Sequence, residues 1–326
     1  MKLSPYKKAR NSADIGFYPL VTTLTLLLIH YFSGALDWPA YSDVDAQRDF
    51  NSAIAMSVLT GYFWLSLRML HQNVASCLIS LLVKSHQLGQ FSHHRERLSG
   101  EFTHHIFNAS IVSILITVVY CILEGLLSST QEFHVLMLTA LAVPFWFFSI
   151  LYIMQVTTNL KYLTKELLPQ AESAKDYITS LTSLIRLGVS NAILSIGGLA
   201  LAPIFWFKKD VPSLDVFVVC IFSSSLLVYL FLPVVKLRFR LHRERKALIK
   251  SLETDIASRI SKAGNSNDPA SLSSIETLES EREALEGLSV QILTFRDKLQ
   301  IVASFSLIPL SWFLLAVFEW VIATPF

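Results

Sequence analysis

The sequence has few charged residues, and its three cysteines are isolated from one another. Charged residues make up 16% of the 326-residue chain, against roughly 25% in soluble domains. Cys77, Cys121 and Cys220 lie in apolar stretches without a paired spacing. This pattern favours buried small hydrophobic residues over disulfides or metal ligands. The net charge of +2 gives no indication of nucleic-acid binding.

Standard catalytic signatures are also missing from the sequence. It has no phosphate-binding glycine loop, no Gly-x-Ser-x-Gly motif and no His-Glu-x-x-His motif for zinc. We therefore predict no catalytic residue, no cofactor and no metal ligand. The sequence favours a protein that is not an enzyme.

Apolar residues are abundant and form 52% of the chain. Seven apolar stretches approach the roughly 20 residues that a transmembrane helix needs; they cover residues 16–35, 52–70, 107–127, 135–157, 188–207, 216–235 and 301–322. The sequence therefore predicts an all-α integral membrane protein with seven transmembrane helices. Ser33-Gly34-Ala35 would suit cleavage of a signal peptide, but the first apolar run is long for one, so an uncleaved anchor is favoured.

The distribution of basic residues predicts the orientation. Residues 1–15 are basic, and so are the connections after the second, fourth and sixth apolar stretches. The connection after the first stretch is mainly acidic, and the one after the third has no lysine or arginine. Because basic connections stay in the cytoplasm, we predict a cell-membrane protein with its N-terminus inside and its C-terminus outside. Only Lys208 and Lys209 go against this pattern.

Residues 236–300 form the only long polar segment between two apolar ones. Apolar residues recur there at steps of three, four and seven, which is typical of a coiled-coil seam. Residues 264–269 contain Gly264 and Pro269 and would form the turn between two arms. We predict a cytoplasmic antiparallel helical hairpin between helices 6 and 7, with a seam of Leu248, Leu252, Ile256, Ile260, Ile275, Leu278, Leu285, Leu288 and Ile292. No glycine or proline separates its second arm from the last apolar stretch.

Shorter helical extensions are predicted at the other cytoplasmic connections. An apolar face continues past the second stretch to about Leu88 and past the fourth stretch to Pro169. The pairs of helices 2–3, 4–5 and 6–7 thus resemble three hairpins of increasing length. They share no evident sequence identity, so a true internal repeat is left open.

A histidine-rich stretch precedes the third apolar segment, and it contains His86, His93, His94, His104 and His105. Imidazoles are common metal ligands, so one alternative is a metal-dependent enzyme at the membrane interface that uses His93, His94, His104 and His105. A single helix would place His93 and His104 on one face, but Ser99-Gly100 predicts a break between them. We therefore favour an interfacial surface over a metal site.

Several polar residues fall within the apolar stretches. His30, Glu124 and Glu319 lie towards the outer end. They either reach the interface or form an outer vestibule in which His30 pairs with one of the two glutamates. Asn191 and Gly197-Gly198 in the fifth stretch, and Ser223, Ser224 and Ser225 in the sixth, lie near the middle. Small residues favour close helix packing, and the alternative is a locally unwound helix that lines a polar path.

These features predict a channel-like or transporter-like conduit that is gated or assembled through the cytoplasmic hairpin. The alternatives are the interfacial enzyme described above and a membrane scaffold that recruits cytoplasmic partners. The expected partners are the lipid bilayer and either further copies of the chain or a cytoplasmic protein bound through residues 236–300; nucleic acid is not expected. The domains follow as residues 1–15, 16–235, 236–300 and 301–326.

Overall fold

The computed structural model describes residues 6, 13–39, 43–123, 125–126, 132–168, 174–208, 213–263, 275–280, 282–284, 286 and 295–323. This part of the chain is helical and contains no strand. Five of its helical segments are long and apolar enough to cross a membrane. The all-α class and the presence of several membrane-length helices are confirmed, whereas the count of seven remains a prediction.

Seven long helices form the molecule within the described ranges. They are α1 (Ala13–Ser33), α2 (Val44–Lys84), α3 (Phe91–Leu123), α4 (Phe133–Tyr162), α5 (Ala174–Leu201), α6 (Ser213–Ala263) and α7 (Phe295–Ala323). A π-helical turn, Leu163–Leu167, extends α4, and a 3-10 turn, Ala202–Trp206, follows α5. The apolar stretch found in α7, Ser306–Trp320, is shorter than the five membrane-length segments.

Large apolar side chains cover much of the outer surface of the bundle. Those of α3 are representative, with exposed Phe107, Ile111, Ile114, Leu115, Val118 and Ile122. Similar exposed rows occur on α1, α6 and α7. A monomeric protein in water rarely exposes apolar patches of this extent, so this surface fits contact with lipid.

Helix α2 lies at the centre of the bundle and packs against α1, α4 and α5. Its first turn is capped by Asp43, whose carboxylate accepts a hydrogen bond of 2.9 Å from the Ala46 amide. Helices α2 and α4 run parallel. Trp64 of α2 stacks on Phe148 of α4, and about two turns later His71 of α2 contacts Gln155 of α4, so contacting residues advance together along both helices. Helix α5 is antiparallel to α2, and Asn73 of α2 donates to the Ser190 hydroxyl of α5 at 2.9 Å.

The two ends of the bundle differ in charge, as the alternation of connections predicts. One end carries Lys84, Arg97, Arg186 and the basic part of α6, and we call it the basic end. The opposite end carries Asp43, Asp45, Asp49, Glu132 and Glu319, and we call it the acidic end. The orientation in the membrane that the basic connections suggest remains a prediction.

The predicted break at Ser99-Gly100 is wrong, because α3 is continuous from Phe91 to Leu123. A glycine inside a helix costs only about 1 kcal/mol relative to alanine. Burial of Leu98 and Phe102 in the core on either side of Gly100 outweighs that cost. The chain instead turns between α2 and α3, where His86 takes a left-handed backbone conformation with φ of 53°.

Helices α6 and α7 both pass without interruption through the boundaries of the polar segment, at Lys236 and Gln300. The 51 residues of α6 extend over about 75 Å at about 1.5 Å per residue. Pro233 and Pro309 lie inside these helices without ending them.

The hairpin itself is only partly within the described residues. Leu248 and Leu252 are half-buried and pack against the main core, Ile256 is buried, and Ile260 is exposed. In the second arm, Ile275 and Leu278 are half-buried, whereas Leu285, Leu288 and Ile292 and the turn 264–269 lie outside the described residues. Between the described parts of the two arms, Arg245 donates to the Glu286 carbonyl at 3.2 Å. The antiparallel hairpin therefore remains a prediction.

Candidate functional site

A buried cluster of polar side chains lies towards the basic end, between α2, α3 and α4. Its centre is Gln155 on α4, one helical turn before Asn159. The phenol oxygen of Tyr6 lies 3.1 Å from Gln155 Oε1 and 2.9 Å from Asn159 Oδ1. The Asn159 amide also donates to Gln155 Oε1 at 3.2 Å. Tyr6, Gln155 and Asn159 are all buried, and we call them, with the two histidines that contact Gln155, the Gln155 cluster.

Two histidines on different helices contact the same glutamine side chain. In the amide orientation present, Gln155 Nε2 donates to His105 Nδ1 at 2.6 Å. On the other side, His71 Nε2 lies 3.3 Å from Gln155 Oε1 and acts as the donor. This arrangement assigns the neutral tautomer with the proton on Nε2 to both imidazoles. Gln155 thus links α2, α3 and α4 by hydrogen bonds.

Aromatic rings enclose the Gln155 cluster. The Tyr6 ring lies edge-on to His71 with a centroid distance of 4.8 Å. Phe102 contacts His71 edge-on at the same distance. Burial raises the pKa of the Tyr6 phenol, so its hydroxyl remains a hydrogen-bond donor at physiological pH.

The sequence analysis missed most of this cluster. Of its five residues only His105 was singled out, and for a different role. A usable signal was the pair Gln155 and Asn159, two amides spaced by one helical turn at the end of an apolar stretch. No sequence signal connects Tyr6 to residues about 150 positions further along the chain.

The four histidines of the enzyme alternative point in two directions on the continuous helix α3. His93 and His104 are exposed, and His104 contacts Asn108 at 3.1 Å. His94 is buried and its Nδ1 lies 2.8 Å from the Tyr162 hydroxyl, whereas His105 contacts Gln155. Among the described residues, no group of three or more histidines, cysteines or carboxylates is placed to hold a metal ion.

A second polar group lies deeper in the bundle, where α4 meets α5. The Tyr152 hydroxyl donates to the Asn191 carbonyl at 3.1 Å and lies 3.0 Å from the Ser195 hydroxyl. The Asn191 side chain is only 1% exposed, and neither its amide nitrogen nor its oxygen has a partner among the described residues. A buried amide without partners is costly, by about 1–3 kcal/mol. Among the intramembrane polar residues that the sequence singles out, Asn191 is therefore the one whose buried side chain is least explained by the contacts in the fold.

Gly197 and Gly198 are sites of close packing against α2. A Cβ at Gly197 would overlap the Tyr62 hydroxyl, and one at Gly198 would lie 3.0 Å from Phe63 Cε1. Helix α5 continues through both glycines, so it is not unwound there. The side chains that pack against the two glycines are Tyr62 and Phe63. Ser223 of α6 is half-buried, and Ser224 and Ser225 are exposed, so these serines are not the surface against which the glycines pack.

The acidic end contains the remaining predicted polar residues. His30 is buried, and its Nδ1 has no partner in the described part of the chain. The predicted pair of His30 and Glu319 does not form among the described residues. The Glu319 carboxylate instead accepts a hydrogen bond of 2.7 Å from the Lys208 amide. Lys208 has a positive φ of 53°, so Glu319 stabilises this turn after α5. Glu124 lies outside the described residues.

The start of α2 is also polar and buried at this end. Asn51 donates to the carbonyl groups of Phe205 and Phe207 at 3.3 and 2.7 Å. Asp49 lies 3.2 Å from Arg48 and 3.5 Å from His134 at the start of α4. These contacts connect α2 with both α4 and the turn after α5.

Buried polar side chains thus occur along most of the length of α2. They are Asp49, Asn51, Ser57, Thr60, Ser66 and His71. Residues 49 and 71 are about 33 Å apart along the helix axis, close to the roughly 30 Å thickness of the hydrocarbon layer. Ser57 and Thr60 donate to carbonyl groups of their own helix, whereas His71 and Asn51 bind other helices. We call this row, with Asn191 and the Gln155 cluster, the polar row.

Comparison with protein-family models, curated proteins and solved structures finds no match for this chain.

Proposed function

We propose that this chain is a multi-pass membrane protein that acts as a channel-like or transporter-like conduit for ions or small polar solutes. The path follows the polar row between α2, α4 and α5. The cytoplasmic hairpin, residues 236–300, gates this path or assembles further copies of the chain around it. The chain spans the membrane seven times in this proposal.

The observation that supports the proposal is the length of the polar row. Polar side chains inside a membrane are costly and usually have a function. A structural role could be met by a few hydrogen bonds, yet here buried polar groups run from Asp49 to His71, over about the thickness of the hydrocarbon layer. Asn191 strengthens the argument, because its amide contributes no hydrogen bond to the fold within the described residues.

The orientation in the membrane follows from the charge difference between the two ends. Lysine and arginine are concentrated at the basic end, which we assign to the cytoplasm by the positive-inside rule. The Gln155 cluster then lies at the cytoplasmic mouth of the path. His30, Asp49 and Glu319 lie at the outer mouth.

Asn191→Leu is the direct test, because leucine has nearly the shape of asparagine without its polar atoms. KCl conductance would be measured with purified protein in planar bilayers. Proton uptake would be measured with purified protein in liposomes that enclose a pH-sensitive dye. We expect at least a tenfold loss of flux. Thermodynamic stability should rise by about 1–3 kcal/mol, because a buried unpaired amide is removed. Asn108→Leu on α3 is the matched control, since that amide lies outside the polar row.

Flux that is unchanged in Asn191→Leu while its stability rises would refute this path. Equal losses in Asn191→Leu and Asn108→Leu would also contradict it, because they would indicate a general effect of removing an amide.

The scaffold alternative is favoured by one observation, the far end of α6. Beyond Leu241 most side chains of this helix are exposed, including the predicted seam residue Ile260. A cytoplasmic partner could bind there without any flux through the membrane. Flux measurements in liposomes separate the two functions, because a scaffold alone gives the same leak as empty liposomes. The enzyme alternative has no comparable support, since its four histidines face two different environments.

A further inference from the structure

One exposed face of α6 changes from apolar to basic along the helix. Apolar side chains follow one another on this face at steps of three or four residues: Val228, Leu232, Val235 and Phe239. The same steps lead on to the exposed basic side chains Arg243, Lys246 and Lys250. Because steps of three and four keep residues on one side of a helix, the change takes place between Phe239 and Arg243.

The opposite face of α6 stays packed against the bundle past this change. The buried residues on that face are Leu230, Val234, Leu237 and Leu241, and Leu248 and Leu252 follow them against the core. The exposed face therefore does not change because α6 leaves the bundle. Phe239 is 72% exposed, which fits lipid chains, whereas the charged residues after it fit headgroups or water. In the proposed membrane placement of α6, the boundary of the hydrocarbon layer thus lies near Phe239.

Three basic side chains lie at this boundary on one side of the helix. Lys236, Arg240 and Arg243 are exposed, and their spacing of four and three residues extends over about 10 Å of the helix axis. The Arg240 guanidinium lies over the ring of Tyr177 on α5, 5.7 Å from its centroid. Glu244 lies 3.8 Å from Arg243 and offsets part of the charge. The three residues, which we call the basic triad, keep a net positive charge beside Phe239.

The described contact between the hairpin arms lies on a different side of α6. Arg245 donates to the Glu286 carbonyl of the second arm. At about 100° per residue, Arg245 lies about 140–180° around the helix from the members of the basic triad. This contact therefore does not cover the basic triad.

We propose that the basic triad binds the headgroup of an anionic phospholipid in the cytoplasmic leaflet, whose acyl chains pack against Phe239 and Val235. Lysine and arginine donate charge-assisted hydrogen bonds to phosphate oxygens, and basic residues just cytoplasmic of a membrane helix attract anionic lipids. A soluble anion would use the charges alone and leave the exposed phenyl ring unexplained. The site uses the membrane placement of α6 but does not require a conduit, because lipid binding is measured without flux.

The test places a fluorescent reporter at the boundary. Full-length protein carrying Phe239→Trp is reconstituted in bilayers of phosphatidylcholine, and phosphatidylglycerol with brominated acyl chains is added in increasing proportion. Bromine quenches tryptophan on contact, so quenching beyond that of the parent protein reports lipid at position 239. The same titration with brominated phosphatidylcholine gives the preference for the anionic headgroup.

We expect at least a fivefold preference for phosphatidylglycerol, because each basic residue near an anionic surface contributes about fivefold. Lys236→Gln combined with Arg240→Gln should remove this preference. Lys246→Gln combined with Lys250→Gln is the matched control, because this exposed pair has the same charge and spacing but lies about 10–17 Å beyond Phe239 along the helix. The control should keep the preference of the parent. All of these variants carry Phe239→Trp.

Quenching by neither lipid would overturn the proposal, because position 239 would then lie outside the bilayer. Equal quenching by both lipids, or an equal loss of preference in the control pair, would also overturn it, since neither outcome requires the basic triad. Inorganic phosphate that abolishes the preference, where KCl of the same ionic strength does not, would identify a soluble anion as the ligand and reject the lipid.

The lipid site and the conduit fail in different experiments. Headgroup preference that depends on the basic triad, in a protein that carries no flux, would support the lipid site and refute the conduit. Flux that Asn191→Leu abolishes, in a protein without headgroup preference at position 239, would support the conduit and reject the lipid site.

Discussion

The close packing of α5 on α2 at Gly197 gives a prediction with a definite sign. Gly197→Ala would normally stabilise a helix by about 1 kcal/mol, because alanine has the higher helix propensity. Here the new methyl group overlaps the Tyr62 hydroxyl and would lie 2.8 Å from Tyr62 Cζ. Tyr62 itself is fixed by a hydrogen bond of 2.6 Å to the Leu194 carbonyl. We therefore expect the substitution to be destabilising.

The magnitude follows from three opposing contributions. Overpacking of a core typically costs about 1–3 kcal/mol, and loss of the hydrogen bond from Tyr62 to Leu194 costs roughly 1 kcal/mol more. The gain in helix propensity offsets about 1 kcal/mol. The net expectation for Gly197→Ala is a destabilisation of about 1–3 kcal/mol. Adding Tyr62→Phe should recover only part of it, since the ring carbon remains in close contact.

Gly100→Ala is the matched control, because it is the same substitution in a helix with open space around the glycine. Apart from its chain neighbours and the nearby backbone of its own helix, no described atom lies within 4 Å of a Cβ at Gly100, so only the propensity gain of about 1 kcal/mol remains. Reversible unfolding in mixed detergent micelles, followed by far-UV circular dichroism, would measure both variants. Stabilisation by Gly197→Ala would refute the packing argument, and destabilisation by Gly100→Ala would contradict the continuous helix α3.

Three further predictions concern the fold and its connections. His105→Ala should lower stability by about 1–3 kcal/mol, because it leaves the Gln155 amide unpaired, whereas His104→Ala should be neutral in the same unfolding assay; equal effects would contradict the two faces of α3. A reporter that is active only in the cytoplasm should be silent when fused after Phe326, and activity there would refute the predicted orientation. Insertion of Gly-Gly-Gly after Gln300 interrupts α7 at a cost of about 1 kcal/mol per glycine and should uncouple flux from ligands of the hairpin; normal regulation in this variant would favour the scaffold.

The helical class could be predicted from the sequence because apolar length alone nearly determines it. A run of about 20 apolar residues has few alternatives to a membrane helix, and five such segments are present in the structure. The direction in which each helix crosses the membrane stays a prediction from lysine and arginine in the connections. Helix breaks were harder to predict from local sequence, as Gly100 illustrates. The helix penalty of a glycine can be read from the sequence. The burial of Leu98 and Phe102 that outweighs this penalty depends on the neighbouring helices, which the local sequence does not show.

The candidate site was harder to predict because its partners come from distant parts of the chain. Asn191 and His30 could be singled out, since a polar residue in an apolar stretch is visible in the sequence. The hydrogen bonds of Gln155 to His71 and His105 depend on the parallel arrangement of α2 and α4 and on the position of α3 beside them. The positions of the seam residues Leu285, Leu288 and Ile292 are still a prediction.

The central position of α2 has a consequence for the synthesis of the protein. Asn51 is paired with carbonyl groups 154 and 156 residues further along the chain, and His71 with a glutamine 84 residues further. At translation rates of about 5–20 residues per second, the partners of Asn51 emerge about 8–31 s after it. During this interval α2 must remain in or near the membrane with polar groups unpaired, where insertion factors and proteases can act on it. The helix at the centre of the finished bundle therefore stays incomplete through a large part of the synthesis of the chain.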